Sequence, residues 1–307
     1  MIWTMIALVF AVGAVVVFVR SKAAKAGSEA AMRGVPMLPA TRKTSPDIAE
    51  FVAWQDAHLL PAIKLEAKGP APQTAGGSRI GGPVWLPKGE GWPTGKNGKP
   101  LSFLAQIDFS VLPPLEDYPR SGVLQFFIGR DDLYGADFNR PEAGNFKVIF
   151  RESVNGPGTL RSSKLLGTGG IDDYSPVYAK AMAEGVALVG RSETHVPSTA
   201  FWKIERDLPR MTDDGFSDAV YAHIDADMQA RPERYGMSHH IGGHIELTQT
   251  DFRSATQYAD YDRVLLQLWS DDGTIMWGDL GQGNFMIRRE DLIKRDFSRV
   301  TYHWDCY

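Results

Sequence analysis

The chain has 307 residues, 43% hydrophobic and 23% charged, with a net charge of −4, which is the composition of a globular protein with ample material for a core. An isoelectric point near 6.0 and the lack of a basic cluster interleaved with aromatics in the globular part exclude nucleic acid as an expected partner. Cys306 is the only cysteine, so no intrachain disulfide is expected, which suits a reducing compartment.

Met1 to Val19 carries no charged side chain and is rich in Val, Ala, Ile and Phe. At roughly 1.5 Å per residue a helix of this length reaches about 30 Å, the thickness of a hydrocarbon core. A single-pass transmembrane helix over residues 1–20 is therefore predicted. A cleavable signal peptide is the rival, but it calls for basic residues ahead of the apolar run, whereas Arg20, Lys22 and Lys25 follow it. Arg33, Arg42 and Lys43 extend the positive flank, and the positive-inside rule then puts the body of the chain on the cytoplasmic side of the inner membrane. A periplasmic body is the alternative, because large domains override the charge bias. Residues 21–44 read as a flexible basic tether that lies against anionic headgroups.

A domain of class α+β is expected over residues 45–307. Ser45 is the expected N-cap, and Pro46 opens a helix whose apolar positions are Ile48, Phe51, Val52, Leu59 and Leu60. A short strand over Ala62–Leu65 follows. The tripeptide Ile80-Gly81-Gly82 recurs as Ile241-Gly242-Gly243, Leu104 and Gln106 recur as Leu265 and Gln267, and Gly122 as Gly283. Each pair has the same offset, since 241 − 80, 267 − 106 and 283 − 122 all give 161. Two copies of one unit, about 76–130 and 237–290, are predicted. The first copy carries apolar runs of strand length at Leu101–Phe109 and Val123–Ile128. In the second, strands are expected at Val264–Trp269, Ile275–Trp277 and Asn284–Ile287, with Asp272-Gly273 as a hairpin turn. Between the copies, Ser175–Ala187 and Asp218–Ala230 read as helices, and Val148–Arg151 and Phe201–Ile204 as strands. The sum is an internally duplicated mixed or antiparallel sheet with flanking helices, without the strand–helix alternation of a doubly wound fold.

Several stretches carry a family resemblance. They are Ser78-Arg79-Ile80-Gly81-Gly82-Pro83, Phe103-Leu104-Ala105-Gln106-Ile107-Asp108, Gly122-Val123-Leu124-Gln125-Phe126-Phe127, and the ending from Met276-Trp277-Gly278-Asp279-Leu280-Gly281 through Phe285-Met286-Ile287 to Trp304-Asp305-Cys306-Tyr307. In order, over about residues 50–307, they resemble the bacterial YwqG-like family (domain of unknown function 1963). The resemblance implies a compact α+β domain and brings no established reaction with it. His244, standing where the first copy has Pro83, departs from the pattern, as does the membrane anchor, since the family is typically soluble.

Catalytic motifs are scarce. His240 and His244 have the spacing of helical metal ligands, but Gly242-Gly243 between them opposes a helix. No metal or other cofactor is expected. Gly76-Gly77 and Gly81-Gly82 lack the Gly-Lys-Ser/Thr of a phosphate loop and the G-x-G-x-x-G of a dinucleotide site. Cys306 with His303 is a poor nucleophile–base pair without an orienting group. Asp131-Asp132, Asp172-Asp173, Asp213-Asp214 and Asp271-Asp272 read as solvated turns. The loop Gly278–Gly283 holds Asp279 among glycines that admit close backbone approach, or else Asp279 caps that loop. Trp85, Trp92, Trp269, Trp277 and Trp304 lie at the repeat anchors and serve a core or wall a groove.

Two functions follow as expectations. The first is a membrane-anchored binding module with a protein partner, for toxin immunity or scaffolding. The alternative is a hydrolase-type enzyme with its site between the copies. Catalytic residues are not assigned; the candidate ligand or partner site comprises Arg79, Gly81, Gly82, His240, Trp277, Asp279, Gly281 and Gly283.

Overall fold

Segments rich in β-branched and aromatic residues become strands throughout this chain, and they pair into one large sheet. The computed structural model describes residues 46–163, 174–212 and 217–307, all within the unit Ser45–Tyr307. The predicted transmembrane helix 1–20, the tether 21–44 and the N-cap Ser45 lie outside the described residues. Among the described residues, no helix is long and apolar enough to cross a membrane.

The strands are β1 (Leu60–Pro70), β2 (Arg79–Ile80), β3 (Val84–Pro87), β4 (Ser102–Asp108), β5 (Val123–Ile128), β6 (Phe146–Arg151), β7 (Gly158–Arg161), β8 (Val186–His195), β9 (His240–Gly242), β10 (Arg263–Trp269), β11 (Gln282–Ile287) and β12 (Val300–Asp305). Ten of them form a sheet in the order β12-β11-β10-β9-β1-β8-β2-β4-β5-β6, while β3 and β7 pair separately. The pairings are antiparallel, so the mixed alternative drops out. Aromatic contacts bring the two ends of the long sheet together: Phe146 lies 5.4 Å from Tyr302 and Phe150 5.2 Å from Phe297, ring centroid to ring centroid. The sheet is thus nearly closed around its apolar core.

The duplication is visible residue by residue. Arg79 pairs with Gln106 across β2 and β4, and His240 pairs with Gln267 across β9 and β10. A register shift between Phe103 and Ala105 leaves Leu104 as a bulge, and the same shift between Val264 and Leu266 leaves Leu265. The conserved offset ends there. Gln106 faces Gln125 while Gln267 faces Asn284, and 284 − 125 is 159. The structural mate of Gly122 is accordingly Gly281, and the predicted match of Gly122 with Gly283 is two residues out of step, because the β10–β11 connection is two residues shorter.

The copies also exceed their predicted bounds of 76–130 and 237–290. β6 and β12 close each unit, and β1 and β8 open it. These opening strands are exchanged: β1 pairs with β9 of the second copy, and β8 with β2 of the first. Next to each other at the centre of the sheet, β1 and β8 join the halves over a long antiparallel ladder from Leu60↔His195 to Pro70↔Val186.

Several local expectations need correction. The strand predicted over Ala62–Leu65 runs from Leu60 to Pro70, since β8 pairs with it from end to end. Only Ala179–Glu184 of the segment Ser175–Ala187 is helical, because Gly185 ends the helix and Ala187 already faces Arg79 in the sheet. Phe201–Ile204 leads into the helix Ile204–Asp207 instead of forming a strand, its apolar side chains serving a helical core with Phe51, Trp54, Val220 and Ile224. Ile275–Trp277 is not a strand: Ile275 forms isolated bridges to Asp271 and Val177. Asp272-Gly273 does turn the chain, with the Asp271 carboxylate accepting the amides of Thr274 and Ile275. The helix Asp218–Ala230 forms as predicted, whereas Pro46–Ala57 stops short of Leu59 and Leu60, because Leu60 already belongs to β1 and pairs with His195.

Candidate functional site

Arg79 and His240 are equivalent residues, and both are buried. The Arg79 guanidinium donates to the carbonyls of Pro72, Thr74, Gly76 and Pro83. Burial lowers its pKa from the ordinary arginine value, with Asp108 acting the other way. The His240 ring meets the carbonyl oxygens of Ser238 and His244, each at 3.0 Å, and His244 holds the place of Pro83. Burial, reinforced by His195, pushes the His240 pKa well below its usual value. Each side chain is thereby a buried cross-tie for the loop around its own Ile-Gly-Gly turn.

The glycines of that turn are required by geometry. Gly81 and Gly82 have φ of 62° and 74°, and Gly242 and Gly243 have 67° and 66°, values that L side chains rarely adopt. A Cβ on Gly82 would lie 2.8 Å from Gly185 Cα, and one on Gly243 would strike His195 Nδ1. Each turn thus packs against the segment that leads into, or runs within, the exchanged strands. The pair Gly81-Gly82 faces Ala181–Gly185, ahead of β8, and Gly242-Gly243 faces Pro61 and Ala62 in β1.

The loop Trp277–Gly283 lies elsewhere. Trp277 is fully buried, its ring 5.8 Å from Tyr134 and 6.3 Å from Trp304, and no partner takes its Nε1–H. A Cβ on Gly283 would enter the Trp277 ring, and one on Gly281 would strike the Asp305 carbonyl. Asp279 is exposed; its carbonyl accepts the Tyr307 amide at 3.2 Å. Asp279 forms no ion pair with Arg79 or any other described residue. The eight nominated residues therefore do not converge on one pocket: Arg79, Gly81, Gly82 and His240 hold the two turns, whereas Trp277, Gly281 and Gly283 are buried in a separate loop that exposes Asp279 beside an apolar surface.

That surface was not legible from the sequence. Leu133, Phe138, Leu280 and Tyr307 are 42%, 43%, 54% and 75% exposed, and three chain segments bring them around Trp304. The Trp304 indole N–H donates to the Leu133 carbonyl at 2.8 Å, and its ring stands 5.6 Å from Phe138 and 5.1 Å from Tyr134. Tyr307 is tied to the loop of Leu280 through Asp279. Leu280 itself holds φ of 55°, an uncommon backbone state for a leucine.

Residues 78–306 match the family described as Domain of unknown function (DUF1963). The chain belongs to this family. None of the curated proteins compared with it matches. The match to the DUF1963 domain begins after β1, the strand that completes the sheet of the second copy.

A cleft of about 220 Å³ opens beside Gly242-Gly243 of the DUF1963 domain, between Leu60 and Pro61 on one side and Asp117, Arg263 and Arg289 on the other. Asp117 holds φ of 68°. Its carboxylate receives Arg289 at 2.8 Å through each oxygen and Arg263 at 3.1 Å. Burial opposes ionisation of Asp117, but the two guanidiniums hold its pKa below the usual carboxylate value. Both arginines already have carboxylate partners, since Arg263 also reaches Asp262 at 3.0 Å.

The histidines of the predicted cluster have separate tasks. His239 accepts the Trp269 amide at Nδ1, so its Nε2 carries the proton and donates to Asp271 at 3.0 Å. His244 Nε2 faces the His58 carbonyl at 2.7 Å, and burial lowers its pKa to about 3. Among the described residues, no group of three His, Cys, Asp or Glu side chains is placed to hold a metal. Burial also pushes Glu246 up to about 8 and Asp305 up to about 6, and His303 down to about 4.

Proposed function

We propose that this protein is a membrane-anchored binding module that engages a protein partner through the face formed by Leu133, Phe138, Leu280 and Tyr307. The reading is carried by exposed apolar residues on three segments that meet at Trp304, whose indole N–H bonds the Leu133 carbonyl, whose ring stands against Phe138, and which packs on the loop of Leu280 at Gly278. Monomeric proteins seldom display large side chains together in this way unless the patch is used. The anchor rests on residues 1–20 and their basic flank, and the cytoplasmic orientation on the positive-inside rule. Toxin immunity and scaffolding are two concrete forms of such a module. A hydrolase site between the copies has less support, because Arg79 and His240 are committed to backbone carbonyls.

Photo-crosslinking in the native membrane tests the reading. A photoreactive residue in place of Leu280 should trap one discrete protein, while the same group at Val189, exposed on β8, should not. Equal yields at the two positions would remove the assignment. The full chain should sediment with membranes, and deletion of residues 1–21 should release it.

A further inference from the structure

Resting on the reading just given, we propose that the partner segment docking on this face is cationic, with Arg or Lys side chains set between apolar ones. The four exposed apolar residues occupy segments that also carry carboxylates: Asp131 and Asp132 precede Leu133, Asp137 precedes Phe138, and Asp279 precedes Leu280. Asp131 and Asp137 are engaged locally. The first accepts the amides of Leu133 and Gly135, and the second pairs with Arg140 at 3.3 Å. Asp132 and Asp279 are exposed and form no ion pair among the described residues. Against these four carboxylates the same segments present only Arg130 and Arg140, so the segments that carry the exposed apolar residues are acidic in balance.

The rings favour cations as well. Phe138 stands in edge contact with His303 at 5.4 Å and keeps part of its ring open to solvent, beside the half-buried Trp304. Ring faces of this kind attract guanidinium and ammonium groups. Burial lowers the His303 pKa to about 4, so at neutral pH that ring adds no positive charge. An acidic segment would meet like charge at Asp132 and Asp279 and gain nothing from the rings. A cationic one would meet opposite charge on these segments and gain from the aromatic faces.

The test uses the full chain in non-ionic detergent, with empty micelles as the blank, and three fluorescein-labelled probes: the octapeptides (Leu-Arg)4, (Leu-Glu)4 and (Ser-Arg)4. Anisotropy should show saturable binding of (Leu-Arg)4, weaker binding of (Ser-Arg)4 and none of (Leu-Glu)4. The variant Asp132→Asn/Asp279→Asn, whose changes lie on exposed side chains, should keep its melting temperature and raise Kd for (Leu-Arg)4 about fivefold, with a shallower salt dependence. An unchanged Kd in that variant, equal binding of (Leu-Glu)4, or no binding of any probe would overturn the proposal. If Leu280 still crosslinks a partner while the probes fail, the surface stands and its cationic preference falls. If the crosslink fails too, both readings fall together.

Discussion

Phe126 and Phe285 are equivalent residues of the two copies, and their rings lie against each other with centroids 4.9 Å apart. Equivalent residues touch only near a local two-fold axis. The central ladder obeys the same axis, passing through the pair Glu66↔Val189. The duplicated halves therefore share one core, and neither half is a domain in its own right.

Gln106 and Gln267 should be equally costly to remove. Gln106 Nε2 donates to the carbonyls of Ala75 and Gly77, and Gln267 Nε2 to those of Gly236 and Ser238, each acceptor pair again 161 residues apart. Truncating either to Ala strands two loop carbonyls and one donor, the Gln125 side-chain amide for Gln106 and the Glu246 backbone amide for Gln267. Each variant should lose about 1 to 3 kcal/mol in urea denaturation. A loss under about 0.5 kcal/mol, the range of ordinary surface substitutions, would show that the glutamines do not tie these loops.

Gly82→Ala and Gly98→Ala separate crowding from backbone strain. Both glycines have positive φ, 74° and 72°, but a Cβ at Gly98 meets nothing within 4 Å, whereas at Gly82 it meets Gly185. Gly98→Ala should cost about 1 kcal/mol through strain alone. Gly82→Ala should cost clearly more, since the ladder of β8 must give way. Equal losses in melting temperature would refute the close-packing account.

Stability should peak near neutral pH. His240, His244 and His303 bind protons far more weakly when folded, so acid favours the unfolded chain: stability falls as pH drops below about 6.5, and continues to fall toward about 4 for His303 and about 3 for His244. Glu246 acts in the opposite sense. Its raised pKa means that the folded protein loses stability as pH climbs from about 4.5 to about 8. Glu246→Gln should flatten the loss of melting temperature between about pH 6.5 and 8 and steepen the fall between about 6.5 and 4.5. A variant profile parallel to wild type throughout would exclude Glu246 as the source.

Asp117→Asn keeps the side-chain size and a residue tolerant of positive φ, but withdraws the charge that Arg263 and Arg289 share. A loss of about 1 to 2 kcal/mol is expected, less than for a fully buried pair because Arg289 is half exposed. The wild type should lose this increment as pH falls through the depressed Asp117 pKa, and the variant should not. Identical acid-side slopes would contradict the assignment.

The duplication was legible because Ile-Gly-Gly and the glutamines answer to backbone geometry, which tolerates few substitutes. Strands with continuous apolar runs, such as Val123–Ile128, were legible for the same kind of reason: every side chain is buried. The exchange of β1 and β8 was not, since pairing partners more than a hundred residues apart leave no periodic trace. Arg79 and His240 were singled out as polar residues beside glycines, and nothing in their spacing tells a buried cross-tie from a ligand. Leu280 and Tyr307 stand in the sequence only as parts of the family's closing stretch; the fold alone brings the segment of Leu133 and Phe138 to Trp304 beside them.

Lys64 of β1 pairs with His240 of β9, a separation of 240 − 64 = 176 positions along the chain. During synthesis β1 leaves the ribosome long before β9 exists, so for most of that time it has an open edge and no sheet to join. Its last residues, Glu66, Lys68 and Pro70, are charged or ring-locked, a composition that discourages edge-to-edge aggregation while the strand waits. The same geometry leaves each copy incomplete by itself: its first strand lies in the other copy's half of the sheet, with arginine at the cross-tie of one half and histidine at that of the other.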